Sequence, residues 1–301
     1  MLFGIQPMLS PIPASTTLYL LDVYPTNARY AFGLERLISG YSGDIVKVER
    51  DFDNATQNFA LSGDTLNQTA IVDFVTNSGA QPAANGHVTT WFSQINGETV
   101  DENAATLANT PKIVDSGAIV TEGGKTALLF DGGDKLDNTF GFGSGVTDLC
   151  LASVYNHTGP DNVERTIFAD GLNSGDFVHV RETPLQSAII EVSRNALGNI
   201  VYATGGTSGY TGRVTSVHTT VPQGASSSTG GFANTDTYAN GGGFGDAPLN
   251  DITRRLFVGG KDGGSVSTDS LNGTLQMIVA WGNDYTADNA NIRDFIDNNI
   301  L

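Results

Sequence analysis

The chain has 301 residues, 39% hydrophobic and 16% charged, which is apolar enough for a large core and excludes global disorder. Its 15 Lys and Arg against 32 Asp and Glu give a formal charge of -17, so it repels phosphate backbones and nucleic acid is excluded as a partner. The 37 glycines stand above the usual ~7% and favour many tight turns over long helices. Met1 to Pro13 carries three prolines and no period, so residues 1–15 read as an extended arm ahead of a single domain over 16–301. Thr16–Tyr24 (TTLYLLDVY) is a β-rich run. In Asn27–Gly40, Tyr30, Leu34, Leu37 and Ile38 fall at helical spacing between a capping Asn27 and a terminating Gly40, which predicts a helix. Asp44–Arg50 alternates as a strand, and Asp53 and Asn54 then turn the chain toward a second helix with Ile71, Phe74 and Val75 on one face.

From Gly86 the periodicity is that of short strands. HVTTWFSQI, PKIVDSGAIV, KTALLFDGG, TDLCLASVY, RTIFAD, FVHVRE, SAIIEVSR, NIVYATGG, RVTSVHTTV, RRLFVGGK and GTLQMIVAWG are separated by Gly, Asn, Asp and Ser. Strand and helix do not alternate, so the fold class is mainly β, an antiparallel jelly-roll sandwich with a few short helices. Gln223–Asp246 reads as a long Gly/Ser/Asn-rich surface loop. The chain closes on an amphipathic helix, with Ile292, Phe295, Ile296 and Ile300 on one face and Asp288 or Asn289 as cap.

Most chemical motifs are incomplete. Gly123–Thr126 ends like a phosphate loop, but Ile119 stands where that loop needs a glycine. His87, His157, His179 and His218 have no metal-ligand spacing, and no serine sits in a nucleophile elbow. Asp131, Asp134 and Asp137 cluster at a turn and offer a weak calcium site beside the reading of a solvated turn; no other cofactor is expected. Cys150 is the only cysteine, so no intrachain disulfide forms. The N-terminus lacks the basic and apolar regions of a secretory signal, and no run reaches the ~20 apolar residues of a membrane helix, so synthesis in a cytosol without membrane insertion is expected.

One ordered series is more specific. YAFGLERLISGYSGDIVKVERDFDNATQNF, VDFV, VTTWFSQINGE, PKIVDSG and KTALLFDGGDKL run in sequence over Tyr30–Leu136. The series resembles the first half of the alpha-L-arabinofuranosidase B catalytic domain, a concanavalin-type β-sandwich. It is also similar to domains in structural proteins of marine tailed bacteriophages. The resemblance takes in all but the arm before about Thr16. It implies a retaining glycosidase site with a Glu nucleophile, matched by Glu182, and an acid/base Asp after a Gly-Gly pair. Here Lys261 follows Gly259 and Gly260, and Asp262 comes next, on the opposite face of an extended chain. The family's adjacent cysteine pair is missing, and Ser93 replaces the acidic residue after the aromatic pair.

The resemblance and these departures imply a non-enzymatic virion protein, a capsid decoration, head spike or tail-associated protein. Such a protein is made in the host cytoplasm and resides in the virion. Its partners would be other virion proteins, copies of itself and host-surface glycans. The alternatives are a carbohydrate-binding module and an active retaining alpha-L-arabinofuranosidase using Glu182 and Asp262. Carbohydrate-binding candidates are Trp91, Phe92 and Tyr155, whose rings suit sugar faces, and Asp170 as a hydrogen-bonding carboxylate. Core packing is the competing reading for Trp91.

Overall fold

The computed structural model describes residues 17–102, 107–138, 146, 148–158, 165–170, 177–183, 186–194, 199–204, 212–221, 228–233, 236–240, 256–260 and 270–300. The arm over 1–15 lies outside them. Among the described residues strand pairing is antiparallel throughout the ladders, and one continuous network of strands folds over into two layers, with Thr121–Glu122 and Lys125–Thr126 as a separate hairpin; the layers are called the two sheets. One runs in the order Asp236–Asn240, Ser228–Ala233, Val214–Val221, Leu149–His157 and Asn272–Trp281. Its far edge is shared by Ala28–Gly33 and Leu128–Asp131, which pair with successive stretches of Asn272–Trp281. The other begins Asn199–Thr204, Gln186–Arg194, Phe177–Thr183, Arg165–Asp170, Leu256–Val258. It continues through Leu136–Asn138, Thr99–Glu102, Gly86–Phe92, Asp44–Arg50 and Thr56–Ser62. Lys112–Asp115 pairs with both Leu128–Asp131 and Gly86–Phe92 and joins the sheets along one side.

The period-two rule explains why the first sheet is apolar on both faces. Along Asn272–Trp281, Leu275, Ile278 and Ala280 enter the core between the sheets, while Met277, Val279 and Trp281 enter a second core behind the first sheet. Tyr30 and Phe32 face the first core and Ala31 the second; Leu151 and Tyr155 face the first, and Cys150, Ala152 and Val154 the second. Helix α1 (Leu20–Val23), helix α2 (Gln68–Val75) and helix α3 (Asn289–Asn299) are short. Leu20 and Leu21 of α1 and Ile292 and Ile296 of α3 fill the second core, so a helical layer covers the back of the sandwich. Trp281 meets Tyr285 edge-on with centroids 5.7 Å apart, and its Nε1–H donates to the Tyr24 carbonyl at 2.9 Å. Among the described residues no helix is long and apolar enough to cross a membrane.

Helix α2 and α3 lie where the 3.6-residue pattern predicts. Asn67 caps α2 by accepting from Ala70 N–H at 3.0 Å, whereas Asp288 precedes α3 with no side-chain cap bond. Four expectations need correction. Ala28–Gly33 is a strand, because Tyr30 and Phe32 fill one core, Ala31 the other, and the backbone is held by Met277–Trp281. Asn27 (φ 52°) and Gly40 (φ 73°) are left-handed turn residues there, not helix caps. Leu20–Val23 is one helical turn, since adjacent Leu20 and Leu21 both enter the same core, which a strand's alternation forbids. Asp53 and Asn54 close a hairpin into Thr56–Ser62, with Asn54 at φ 59° and Arg50 gripping Asp53 by two hydrogen bonds of 2.7 and 2.8 Å. The Gly/Ser-rich segment contains the paired strands Ser228–Ala233 and Asp236–Asn240, and the two glycines of the first hide its alternation.

The doubly buried strand sets a stability expectation. Trp281→Ala, which empties the junction of strand and helices, lowers the unfolding free energy by about 3–5 kcal/mol. Val23→Ala, at an exposed position of α1, changes it by less than about 0.5 kcal/mol. Urea titration followed by tryptophan-independent far-UV circular dichroism checks both.

Candidate functional site

The backbone brings the Glu182 strand and the residues on either side of 261–269 to one end of the second sheet. Glu182 lies directly across the ladder from Arg165, and Thr166 across from Arg181. Arg165 is only 2% exposed. Ser270 forms a parallel bridge to Thr166, Gly259 N–H donates to the Ile167 carbonyl at 2.9 Å, and Leu271 N–H donates to the Gly259 carbonyl at 2.8 Å. The residues flanking 261–269 therefore both sit beside Thr166. Asp262 and Lys261 themselves lie outside the described residues. Gly259 is required here: at φ 78° a Cβ would come within 2.2 Å of the Phe130 ring.

The proposed sugar-stacking rings fare differently. Trp91 and Tyr155 are both 0% exposed, so neither offers a ring face to a ligand. Trp91 packs on Phe32 across the two sheets at 5.7 Å, and Tyr155 belongs to the same core. Phe92 is part-exposed at the end of its strand, and Asp170 ends the strand Arg165–Asp170 opposite Val178 and Leu256. The two polar residues after the aromatic pair hold backbone. Ser93 Oγ accepts from Ala31 N–H at 3.1 Å. Gln94 accepts from Leu37 N–H at 2.8 Å and donates to the carbonyls of Gly33 and Glu35 at 3.0 and 2.7 Å. Cys150 is fully buried and burial pushes its thiol up to about 12, which leaves it unreactive.

The aspartate turn is held by hydrogen bonds of its own. Asp134 Oδ2 accepts from Asp131 N–H and Asp131 Oδ1 from Gly133 N–H, both at 2.9 Å, so the carboxylates close the turn on its own backbone. Among the described residues no three His, Cys, Asp or Glu side chains group to hold a metal ion.

A pocket elsewhere escapes the sequence reading. A cavity of about 210 Å³ is lined by Thr17, Tyr19, Glu35, Asp64, Lys125 and Ile300, among others. A smaller one of about 10 Å³ shares Glu35 and Ile300 and is closed by Thr126, Gln276 and Met277. Burial pushes the Glu35 carboxyl up to about 7, with Asp64 adding to the rise and Lys125 opposing it. Arg36 is fully engaged below, bridging to Asp64 at 3.0 Å and donating to the carbonyls of Gly63 and Tyr41. Nothing in the GLERL stretch distinguishes Glu35 from a solvated helix residue, and its partners come from distant parts of the chain.

No protein-family model matches the chain, and no curated protein does. Solved structures do. A GH54 α-L-arabinofuranosidase soaked with a cyclic sulfate inhibitor superposes with a TM-score of 0.64 at 14% identity, over 92% of this chain and 64% of that one. The fold is a glycosidase-like β-sandwich. An arabinofuranosidase complexed with arabinofuranosyl-α-1,2-xylobiose gives the same TM-score of 0.64, identity of 14% and coverage of 92% and 64%. The chain thus spans less than two thirds of the length of the structures it resembles.

The Asp134 carboxyl carries a pH prediction. Burial pushes it up to about 7 from an ordinary 3.8, opposed by the hydrogen bond from Asp131 N–H and helped by the nearby Asp131 charge. The folded state then holds a proton that the unfolded state loses, so the stability this group contributes is full below about pH 4 and is lost as pH rises through 7. Asp134→Asn flattens that fall by on the order of 2–4 kcal/mol, measured as unfolding free energy at pH 4, 6 and 8.

Proposed function

We propose that the chain is a non-hydrolytic structural protein of a virus particle, built on a glycosidase-like β-sandwich, with glycan contact as a surface property. The observation that carries the reading is Lys261. It follows Gly259 and Gly260, where the resembled family has its acid/base Asp. An ammonium with a pKa near ~10.4 stays protonated and cannot cycle as acid and base near neutrality. The missing cysteine pair, with Cys150 alone and buried, and a Ser93 hydroxyl held on Ala31 N–H support it further. The sequence resemblance to structural proteins of tailed bacteriophages, the acidic surface and the proline-bearing arm support assembly into a particle with other virion proteins and copies of the chain.

A second reading has one observation in its favour. The strand bearing Glu182 and the flanks of the segment bearing Asp262 meet at Thr166, as a retaining site using those two carboxyls would need. The readings part in two measurements. Purified chain incubated with 4-nitrophenyl α-L-arabinofuranoside is expected to release no nitrophenol above buffer. Release that Glu182→Gln abolishes would establish the hydrolase instead. Mass spectrometry of gradient-purified particles is expected to find the chain at fixed stoichiometry to the capsid protein. Its absence from particles would remove the structural role.

A further inference from the structure

We infer that the cavity over Glu35 is a binding site for one neutral, polyhydroxylated small molecule, a single sugar ring or a polyol of that size. The cavity is lined by polar and apolar groups in similar measure, and its charges are unevenly satisfied. Arg36 and Asp64 bind each other, and Tyr19 Oη–H donates to Asp64 at 2.9 Å. Glu35 is different. Its backbone carbonyl is fixed by Gln94 Nε2 at 2.7 Å, but no described residue hydrogen-bonds its half-buried carboxyl. Lys125 forms no ion pair with a described residue and lies on the same cavity wall.

Beneath, the small chamber holds a second unmet acceptor. Gln276 is 4% exposed, and its Oε1 is buried with no hydrogen-bond partner. Its amide cannot be the flipped form, because Nε2 already donates to the carbonyls of Glu122 at 3.1 Å and Thr126 at 3.4 Å. A buried acceptor without a donor is costly, and the chamber, of about 10 Å³, takes one water or one hydroxyl. The outer cavity, of about 210 Å³, takes one small ring and not a chain of them.

The chemistry selects the ligand. Two acceptors, Glu35 and Gln276 Oε1, call for a molecule with several donors. Lys125 offers donors in return and offsets the Glu35 charge, which disfavours both cations and simple anions. Vicinal hydroxyls meet all three groups: they donate to a carboxylate and an amide oxygen and accept from an ammonium. The site shares no residue with the Glu182 strand, so it stands whether or not the chain hydrolyses arabinofuranosides.

The test is saturation-transfer NMR and calorimetric titration of the full chain with L-arabinose, D-xylose, D-galactose, D-glucose and glycerol, with L-lysine and inorganic phosphate as charged controls. At least one neutral probe is expected to bind saturably near millimolar Kd, and the charged controls are not. Lys125→Ala and Glu35→Gln should each weaken it at least tenfold. A nuclear Overhauser contact from the probe to Ile300 methyls in the wild type places it in the cavity independently of either variant's fold. No saturable binding by any neutral probe, binding that both folded variants retain, or preferential binding of phosphate or lysine would overturn the inference.

Discussion

The structure depends on one strand that is buried on both faces. Asn272–Trp281 is flanked by three other strands and covered by the second sheet on one side and by helices on the other. Such a strand can satisfy its backbone only through neighbours, because no water reaches it. Leu149–His157 supplies one ladder along nearly its whole length, and Ala28–Gly33 and Leu128–Asp131 share the other. The side chains then dictate two cores rather than one. Leu275, Ile278 and Ala280 hold the sheets together, and Met277, Val279 and Trp281 require the cover that α1 and α3 provide. The first and last described parts of the chain are thereby fixed to its middle.

The same constraint accounts for polar residues that look functional. Ser93 and Gln94 follow the aromatic pair like site residues, yet both bond buried backbone groups around Ala31 and Gly33–Leu37. Arg50 clamps Asp53, donates to the Phe74 carbonyl at 2.9 Å and lies over the Phe74 ring, tying a hairpin to α2. The hairpin segment around Asp53 and Asn54 is a well-made turn. By contrast, the Glu35 carboxyl and Gln276 Oε1 have no such duty, which is why they mark a ligand cavity.

Much of the architecture was legible because strands buried on one or both faces keep their apolar signature: GTLQMIVAWG, TDLCLASVY and HVTTWFSQI are all strands as read. The failures have physical causes. In Asn27–Gly40 the apolar residues fit both periods, and only pairing with Met277–Trp281 decides for the strand. In Ser228–Ala233, Gly230 and Gly231 leave no side chains to alternate. The site was less legible than the fold. Large aromatics such as Trp91 and Tyr155 serve a core and a sugar face equally well by type, and burial alone separates the two. Glu35 and Gln276 meet only through the tertiary fold, so no local spacing announces them. The register of Glu182 against Arg165 is likewise a product of strand pairing.

The central claim is that Asn272–Trp281 locks the sandwich and its helical cover into one cooperative unit. Native-state amide hydrogen exchange tests it most directly. The account predicts that the amides of Met277–Ala280 exchange only through global unfolding, with the free energy given by denaturant titration, and that the inner turns of α3 around Ile292 and Ile296 open with them. Exchange of the strand amides through openings several kcal/mol below the global value would contradict it.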